Sequence, residues 1–446
     1  MVAPEPASPA EEYNRLLAAD PGGAAEQAAW LAEAFTRAGV TFEGAPMRTF
    51  LRPHLVPRAA WERLREDGRR LLALAVGVAR RAFAGDALAL GAYLGLPDAH
   101  ARWIALDPGP PDVLLSRLDA FLTPGGPRFL EVNNDAPAGF GYADAMAGVF
   151  RQLPAFQKFA AARRVSYPPS APALVGAVLA AAPRGGSGIV AIVDWAEVKT
   201  RADQELLRRA FEAAGRRCRL VDPREMVVRH GRLWAGTDPV DLVYRRALLG
   251  ELVARADEAQ AFLHAYRERV AVFVNSFRCQ FSEDKALFSL LTDERHAGLL
   301  APDERALVAR VVPWTRKVEE RRTLKDGREM DLVAYVVEQR AGLVLKPAHG
   351  YGGESVVVGE EVDAAAWEAA VRAAVGGPWV VQERVPIPAE EFPTCEAGEL
   401  AFARLNVNAN PFYVQGAEAG GVCRASRNSV INVSAGGGSV PMFVVD

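Results

Sequence analysis

Two stretches far apart in the chain carry residues whose types and spacing could do chemistry. The first is Arg117-Leu-Asp119, followed past a turn by Glu131-Val-Asn133-Asn-Asp135-Ala-Pro137. Residues two apart on a strand share a face. Arg117 and Asp119 therefore point one way, and Glu131 and Asn133 do likewise. If the two strands pair around the turn at Thr123-Pro-Gly-Gly-Pro, two carboxylates and an amide oxygen converge on one patch. Hard oxygen ligands of this kind suit Mg²⁺ bridging phosphates. The solvated outer face of a hairpin would leave the same pattern, although the apolar neighbours Phe129, Leu130 and Val132 point towards burial.

The second stretch is Leu343-Val-Leu-Lys346-Pro-Ala-His-Gly350-Tyr351-Gly352-Gly353-Glu-Ser-Val-Val-Val358. A lysine closes one apolar run, a glycine-rich turn follows, and a second apolar run begins. Such a turn lets backbone N–H groups approach phosphate oxygens, while the lysine adds a point charge. Alone it is equally a plain turn, since neither GxxxxGK[ST] nor GxGxxG is present. Composition adds weight: only six of the 52 basic residues are Lys, so each one merits inspection. Ser282-Glu-Asp-Lys285 opens a helix, with Ser282 as its N-cap and Asp284 in its first turn; a simple helix start with an exposed Lys reads the same way. Trp379-Val-Val-Gln382-Glu383-Arg-Val385 is an apolar strand with a polar end. It could offer backbone groups to a base edge and Glu383 to a ribose, and by itself it is an ordinary strand end.

These residues need elements to hold them. Glu11 to Ala19, Ala24 to Ala38 and Ala59 to Ala84 are Ala/Leu/Glu/Arg-rich with helical apolar spacing, so residues 1–105 read mostly as helix. Asp112 to Val132 reads as a β-hairpin, and a helix from about Tyr142 to Arg151 follows. Ile189 to Val193, Asp203 to Ala214 and Cys218 to Val221 form strand, helix and strand, a βαβ unit, with a further strand at Asp241 to Tyr244 and an inserted hairpin at Met226 to Trp234. The βαβ turn lacks the glycines of a dinucleotide site. Next come a strand at Val272, a helix from Lys285 to Leu291, strands at Leu343 to Leu345 and Ser355 to Val358, a helix from Ala364 to Ala374 and a strand at Trp379 to Gln382. Ala401 to Val445 alternates short strands with Gly/Asn turns, as an antiparallel sheet does. The chain has 446 residues, enough for several domains, and a formal charge of -3 that argues against nucleic acid as a partner. No apolar run reaches the roughly 18 residues of a membrane span. The N-terminus lacks a signal-peptide pattern, and Cys218, Cys279, Cys395 and Cys423 form no Cys-x-x-Cys pair. The expectation is a cytoplasmic protein with free thiols.

Combined, the motifs resemble the ATP-grasp family. Asp284-Lys285 at a helix start, Lys346-Pro-x-x-Gly350-x-Gly352-Gly353, a strand ending Gln382-Glu383, and Arg117-x-Asp119 with Glu131-x-Asn133 all match its pattern. The paired acidic strands usually come last in that family and here come first, which is similar to its circularly permuted members, including relatives of glutathionylspermidine synthase. Asp241-Leu-Val-Tyr-Arg245-Arg246, Phe273-Val-Asn275-Ser-Phe and Cys423-Arg424-Ala-Ser426 also look like permuted members. The resemblance covers about 112–150 and 189–446. It implies an α/β circularly permuted ATP-grasp fold. Residues 1–110 would be an N-terminal helical region, 111–165 the displaced metal-binding part, 166–275 a βαβ pre-ATP-grasp substrate domain and 276–446 the nucleotide-binding domain.

The resemblance also implies roles. Lys285 and Lys346 would grip the phosphates of ATP, and Gly350, Tyr351, Gly352 and Gly353 would close over them. Gln382, Glu383 and Val385 would hold the nucleoside, and Asp119, Glu131 and Asn133 would bind two Mg²⁺. Arg117 would face the transferred phosphoryl group; a salt bridge to Asp119 or Glu131 is its other reading. The implied activity joins a carboxylate to an amine through an acyl phosphate, releasing ADP and phosphate. A phosphotransferase or a nucleotide-binding partner protein without turnover would use the same site, but the intact metal and Lys positions argue for a working enzyme. Arg245 and Arg246 follow a strand at the carboxyl end of the βαβ sheet, where such sheets bind ligands. Either could contact the carboxylate substrate or form a structural ion pair. Asp135 could orient Asn133 or touch substrate, and His349 reads as a loop residue. The identities of carboxylate and amine, the role of residues 1–105 and the oligomeric state are not written in the sequence.

Overall fold

The computed structural model describes residues 7–106, 112–182, 186–350, 355–396, 398–433 and 436–446. Its larger sheets, with eight, six and four strands, place the chemistry-bearing residues.

The spine of the eight-stranded sheet is the long strand Glu399–Val414. One edge pairs with Ala417–Ser426; the other pairs first with Ala389–Glu396 and then, along its second half, with Leu115–Thr123. Leu115–Thr123 turns back through the expected hairpin onto Gly126–Asn133, setting Asp119 opposite Glu131 and Arg117 opposite Asn133. The early hairpin therefore completes a sheet made of C-terminal strands, as a permuted chain requires. On the far side Gly438–Val445 pairs in parallel with His54–Pro57. That short strand went unread in the sequence because its four residues end in a proline and show no alternation.

The six-stranded sheet holds the parallel βαβ unit. Cys218–Val221, Ile189–Val193, Asp238–Arg245 and Val272–Val274 run in one direction, and the hairpin Met226–Arg229 with Arg232–Ala235 extends one edge. All five residues of Ile189–Val193 are buried, as a strand covered on both faces demands.

The four-stranded sheet runs Thr315–Lys317, Trp379–Glu383, Leu343–Pro347, Val357–Val358, all antiparallel. Leu343, Leu345 and Val381 pack with Val336, Trp367 and Val371 of the helices Leu332–Glu338 and Ala364–Ala374, forming a second small core. Period-two alternation turns Lys346 and Gln382 to the opposite face. The segment 276–446 thus supplies strands to two of the larger sheets and forms the small hairpin sheet of Arg322–Lys325 with Arg328–Asp331.

Two buried polar clasps join the acidic hairpin to the parallel sheet. The Asn275 side chain accepts the N–H groups of Leu114 and Leu115 (2.8 and 3.0 Å) and donates to the carbonyls of Leu115 and Asn134 (2.7 and 2.6 Å). Asp135 forms an ion pair with Arg245, both fully or almost fully buried. Arg245 also donates to the carbonyls of Asn275 (3.1 Å) and Ala247 (2.9 Å). At the start of the Lys285–Thr292 helix the cap is Asp284, whose side chain accepts the Ala286 N–H at 2.7 Å. Ser282, expected to be that cap, lies in the preceding turn, where it accepts from the Asn134 amide (2.8 Å) and donates to the Cys279 carbonyl (2.9 Å). The two residues before the cap close a tight turn of their own, which moves the helix start forward. No described helix is long and apolar enough to cross a membrane.

Removing one partner of a buried ion pair strands the other charge. Asp135→Ala is expected to destabilise the fold by about 3–5 kcal/mol, measured from its urea unfolding midpoint; a loss under ~1 kcal/mol would show that the pair does not clasp the hairpin.

Candidate active site

The acidic hairpin presents its polar face to the Lys285 helix and to the four-stranded sheet. Asp119 has both carboxylate oxygens engaged. Oδ1 receives Arg117 Nε at 3.0 Å and Asn133 Nδ2 at 3.1 Å, and Oδ2 receives an Arg424 guanidinium nitrogen at 3.2 Å. Arg117 thus takes the salt-bridge geometry. The fixed pair aims a planar, permanently charged donor along the hairpin face. Glu131 receives Asn133 Nδ2 at 3.4 Å on one oxygen and Lys285 Nζ at 3.5 Å on the other. Burial pushes the Glu131 carboxyl up, but the charges of Lys285, Lys346, Arg117 and Arg424 outweigh it and hold the group down at about 2.

Lys346 approaches from the other sheet. Its Nζ donates to Gln382 Oε1 at 2.7 Å, and the Gln382 amide donates in turn to Thr315 Oγ1 at 3.1 Å. Burial lowers the Lys346 ammonium to about 8, with Glu131 opposing and Lys285 assisting. Lys285 ties the root of the glycine-rich turn to its helix: its backbone N–H donates to the Ala348 carbonyl (3.2 Å), and its Nζ donates to the Gly350 carbonyl (2.9 Å). Gly350 sits at φ +101°, a left-handed conformation that favours glycine. Tyr351, Gly352 and Gly353 lie outside the described residues.

At the strand end, Glu383 is held by Lys325 at 2.9 Å, with Arg128 at 3.9 Å. The N–H groups of Glu383 and Arg384 donate to the carbonyls of Trp314 and Gly342, so those two donors are engaged within the protein. The Val385 side chain is buried.

The three tentative substrate residues lie one layer below. Asp135 and Arg245 satisfy each other, and Gln280 Nε2 donates to Asp135 at 2.8 Å. Arg246 donates to the carbonyls of Ala136 and Pro137 at 2.8 and 2.6 Å. Together they underpin the segment that follows Asn133, and the geometry gives Arg245 the structural ion pair. Sequence reasoning assigned no role to two further groups. Glu283 accepts the N–H of Asn134 at 2.6 Å and also that of Asp135, and burial with the nearby Asp135 charge raises its carboxyl to about 8. Arg424, quoted from the sequence only within the Cys423-Arg424-Ala-Ser426 resemblance, reaches Asp119 from 305 residues away, where strand order brings it.

Four cations, Arg117, Lys285, Lys346 and Arg424, thus act on two carboxylates, Asp119 and Glu131. That surplus suits a polyanion. The donor set also fits a hard divalent cation: two carboxylates and an amide stand on paired strands, and half a turn of the Asn133 amide would exchange its N–H₂ for its oxygen.

No curated protein matches the chain. Among solved structures, a glutathione synthetase-like effector from Globodera pallida, determined in apo form, aligns over 96% of this chain and 98% of its own, with 11% identity and a TM-score of 0.63. A putative gamma-glutamylcysteine synthetase from Methylobacillus flagellatus KT aligns over 87% and 89% at 11% identity, with a TM-score of 0.42, too low to carry an argument. The first likeness supports the fold alone. The match that decides the family is to circularly permuted ATP-grasp type 2, over residues 120–426, a span that begins within the acidic hairpin just past Asp119 and takes in Glu131, Asn133, both lysines and Arg424. The chain belongs to the circularly permuted ATP-grasp type 2 family.

Proposed function

We propose that this protein is an ATP- and Mg²⁺-dependent ligase that joins a carboxylate to an amine through an acyl phosphate. The observation that carries this reading is the charge arrangement between the two sheets: four cations converge on two carboxylates, one of them held ionised at about 2. A triphosphate needs that surplus positive charge, and a divalent cation needs those ionised oxygens. Family membership supports the nucleotide and the reaction class.

In this reading the β- and γ-phosphates lie between Lys285 and Lys346. The base and ribose lie along Gln382 to Val385, with Glu383 exchanging Lys325 for a ribose hydroxyl. Asp119, Glu131 and Asn133 would hold Mg²⁺, which neutralises phosphate charge when bound. Arg117 and Arg424, fixed through Asp119, face the phosphoryl group in transfer and donate to its oxygens. An oxygen of the substrate carboxylate bonds to the γ-phosphorus as the bond to the β-bridging oxygen breaks, and ADP leaves with that electron pair. The amine nitrogen then bonds to the acyl carbon, the carbon–oxygen bond to phosphate breaks, and the nitrogen releases its extra proton. The glycine-rich turn, rooted on Lys285, excludes water that would otherwise hydrolyse the acyl phosphate.

Glu131→Gln and Lys346→Ala are each expected to lower substrate-dependent ADP release by about a hundredfold or more while leaving the far-UV circular dichroism spectrum unchanged; undiminished turnover in either folded variant would sink the assignment. With a panel of amino acids and polyamines to find the substrates, hydroxylamine is expected to intercept the acyl phosphate as a hydroxamate, detected by mass spectrometry. ADP formation with a stable phosphorylated product and no hydroxamate would identify a phosphotransferase instead.

A further inference from the structure

We infer that His349 is a positioning residue that, as an imidazolium, latches the root of the glycine-rich turn between the Lys285 helix and the carboxyl end of the N-terminal helix Ala87–Leu94. This rests on the nucleotide site proposed above and adds to it a control of how firmly the turn is held.

The case starts from donors and acceptors. His349 Nδ1 contacts a carboxylate oxygen of Asp284, and His349 Nε2 lies 2.9 Å from the Gly95 carbonyl oxygen. A backbone carbonyl only accepts. Asp284 is already acting as an acceptor, since its other oxygen takes the Ala286 N–H as the helix cap. A neutral imidazole has a single N–H, so it satisfies one of the two contacts; the doubly protonated ring satisfies both. The contact at Gly95 has a second electrostatic ground. Gly95 closes the helix Ala87–Leu94 in a left-handed conformation, φ +80°, and the carbonyls of a last helical turn carry partial negative charge. A second cation docks on that turn, because Lys317 Nζ donates to the Tyr93 carbonyl at 2.6 Å and lies 4.7 Å from the Tyr93 ring centre. The helix end therefore rests on two cations of the nucleotide-binding half, one at the edge of its sheet and one in its turn. This contact assigns the N-terminal region a part in the site.

The charged groups around His349 set the direction of its titration. Burial disfavours the imidazolium, the hydrogen bond and charge of Asp284 favour it, the Gly95 carbonyl favours it, and Lys285 opposes it; the balance raises His349 above the ordinary imidazole value. His100, on the helix Asp98–Ala105, is pushed down by its burial and by the His349 charge. The latch is therefore complete below the ordinary histidine value, about 6.5, and is lost as pH rises through the raised value. Losing it frees the residue before Gly350, whose carbonyl holds Lys285 Nζ, and Lys285 also faces Glu131. Deprotonation thus slackens the root of the turn, up to Gly350, and one phosphate-facing lysine together.

Two measurements on the full chain from pH 6 to 9 test this. Amide exchange at residues 346–350, corrected for the intrinsic pH dependence and recorded without nucleotide, is expected to quicken about tenfold with rising pH in the native protein. His349→Gln, which keeps a donor but no titration, is expected to exchange at the fast rate throughout; His349→Arg, permanently charged, is expected to stay slow. Because Lys346, lowered to about 8, also titrates in this range in all three proteins, the Kd for MgATP, by calorimetry, is expected to weaken about tenfold more in the native protein than in either variant. Exchange that is insensitive to pH, or identical in the native protein and His349→Gln, overturns the latch. A pH-dependent exchange with a MgATP Kd whose pH dependence is the same in the native protein and both variants overturns its role in nucleotide positioning. A pH-dependent exchange in a protein that binds no MgATP at any pH leaves the latch standing and overturns the nucleotide site.

Discussion

The backbone pairing of Leu115–Thr123 with the second half of Glu399–Val414 is the contact on which the site depends. A strand's N–H and C=O groups must find partners when buried. Among the described residues, that half of the long strand has no C-terminal neighbour on its outer edge, because Ala389–Glu396 covers only the first half. The early hairpin fills the gap. In doing so it aligns Arg117, Asp119, Glu131 and Asn133 on the sheet face that also carries Arg424. Permutation leaves this face intact, since a sheet is indifferent to which end of the chain supplies an edge provided register is kept.

Charge then does what packing alone does not. Glu131 and Lys346 are both half-buried, and burial opposes ionisation of each. Glu131 stays charged because four cations surround it, whereas at Lys346 burial and the competing Lys285 outweigh the Glu131 and Asp119 carboxylates, so its ammonium falls to about 8. The Asp119 carboxylate keeps two guanidinium groups from repelling each other apart, and burial, with the proximity of Arg117, lowers Arg424. The hairpin face is a balanced ionic cluster that a phosphate and a divalent cation can enter by exchange of partners.

Below that face, Asp135, Arg245, Arg246, Glu283 and Asn275 hold the loop after Asn133 against the carboxyl end of the parallel sheet. Buried arginines at such an edge resemble ligand-binding residues when read from sequence, for the chemistry that grips a carboxylate also grips a backbone carbonyl. Arg245 is fully buried against Asp135, so its charge is spent within the protein.

Much of this was legible in the residues. Alternation and turn chemistry identified the hairpin, the βαβ unit, the strand of Lys346 and the helix of Lys285, because these patterns depend on local backbone geometry. The scarcity of lysine marked Lys285 and Lys346, and the spacing of Arg117, Asp119, Glu131 and Asn133 put them on common faces. Other features had no local signal. His54–Pro57 is a strand only because Gly438–Val445 offers an edge, and Arg424 joins Asp119 across an intervening strand. His349 acquires its charge from Asp284 and a helix end far upstream. By itself the sequence determined which side chains are carboxylates and cations and which neighbours share a face, since those follow from covalent order and a period of two. The tertiary structure alone decided which carboxylates remain ionised and which arginines are spent on structure, because pKa and partner choice depend on burial and on charges brought together from distant parts of the chain.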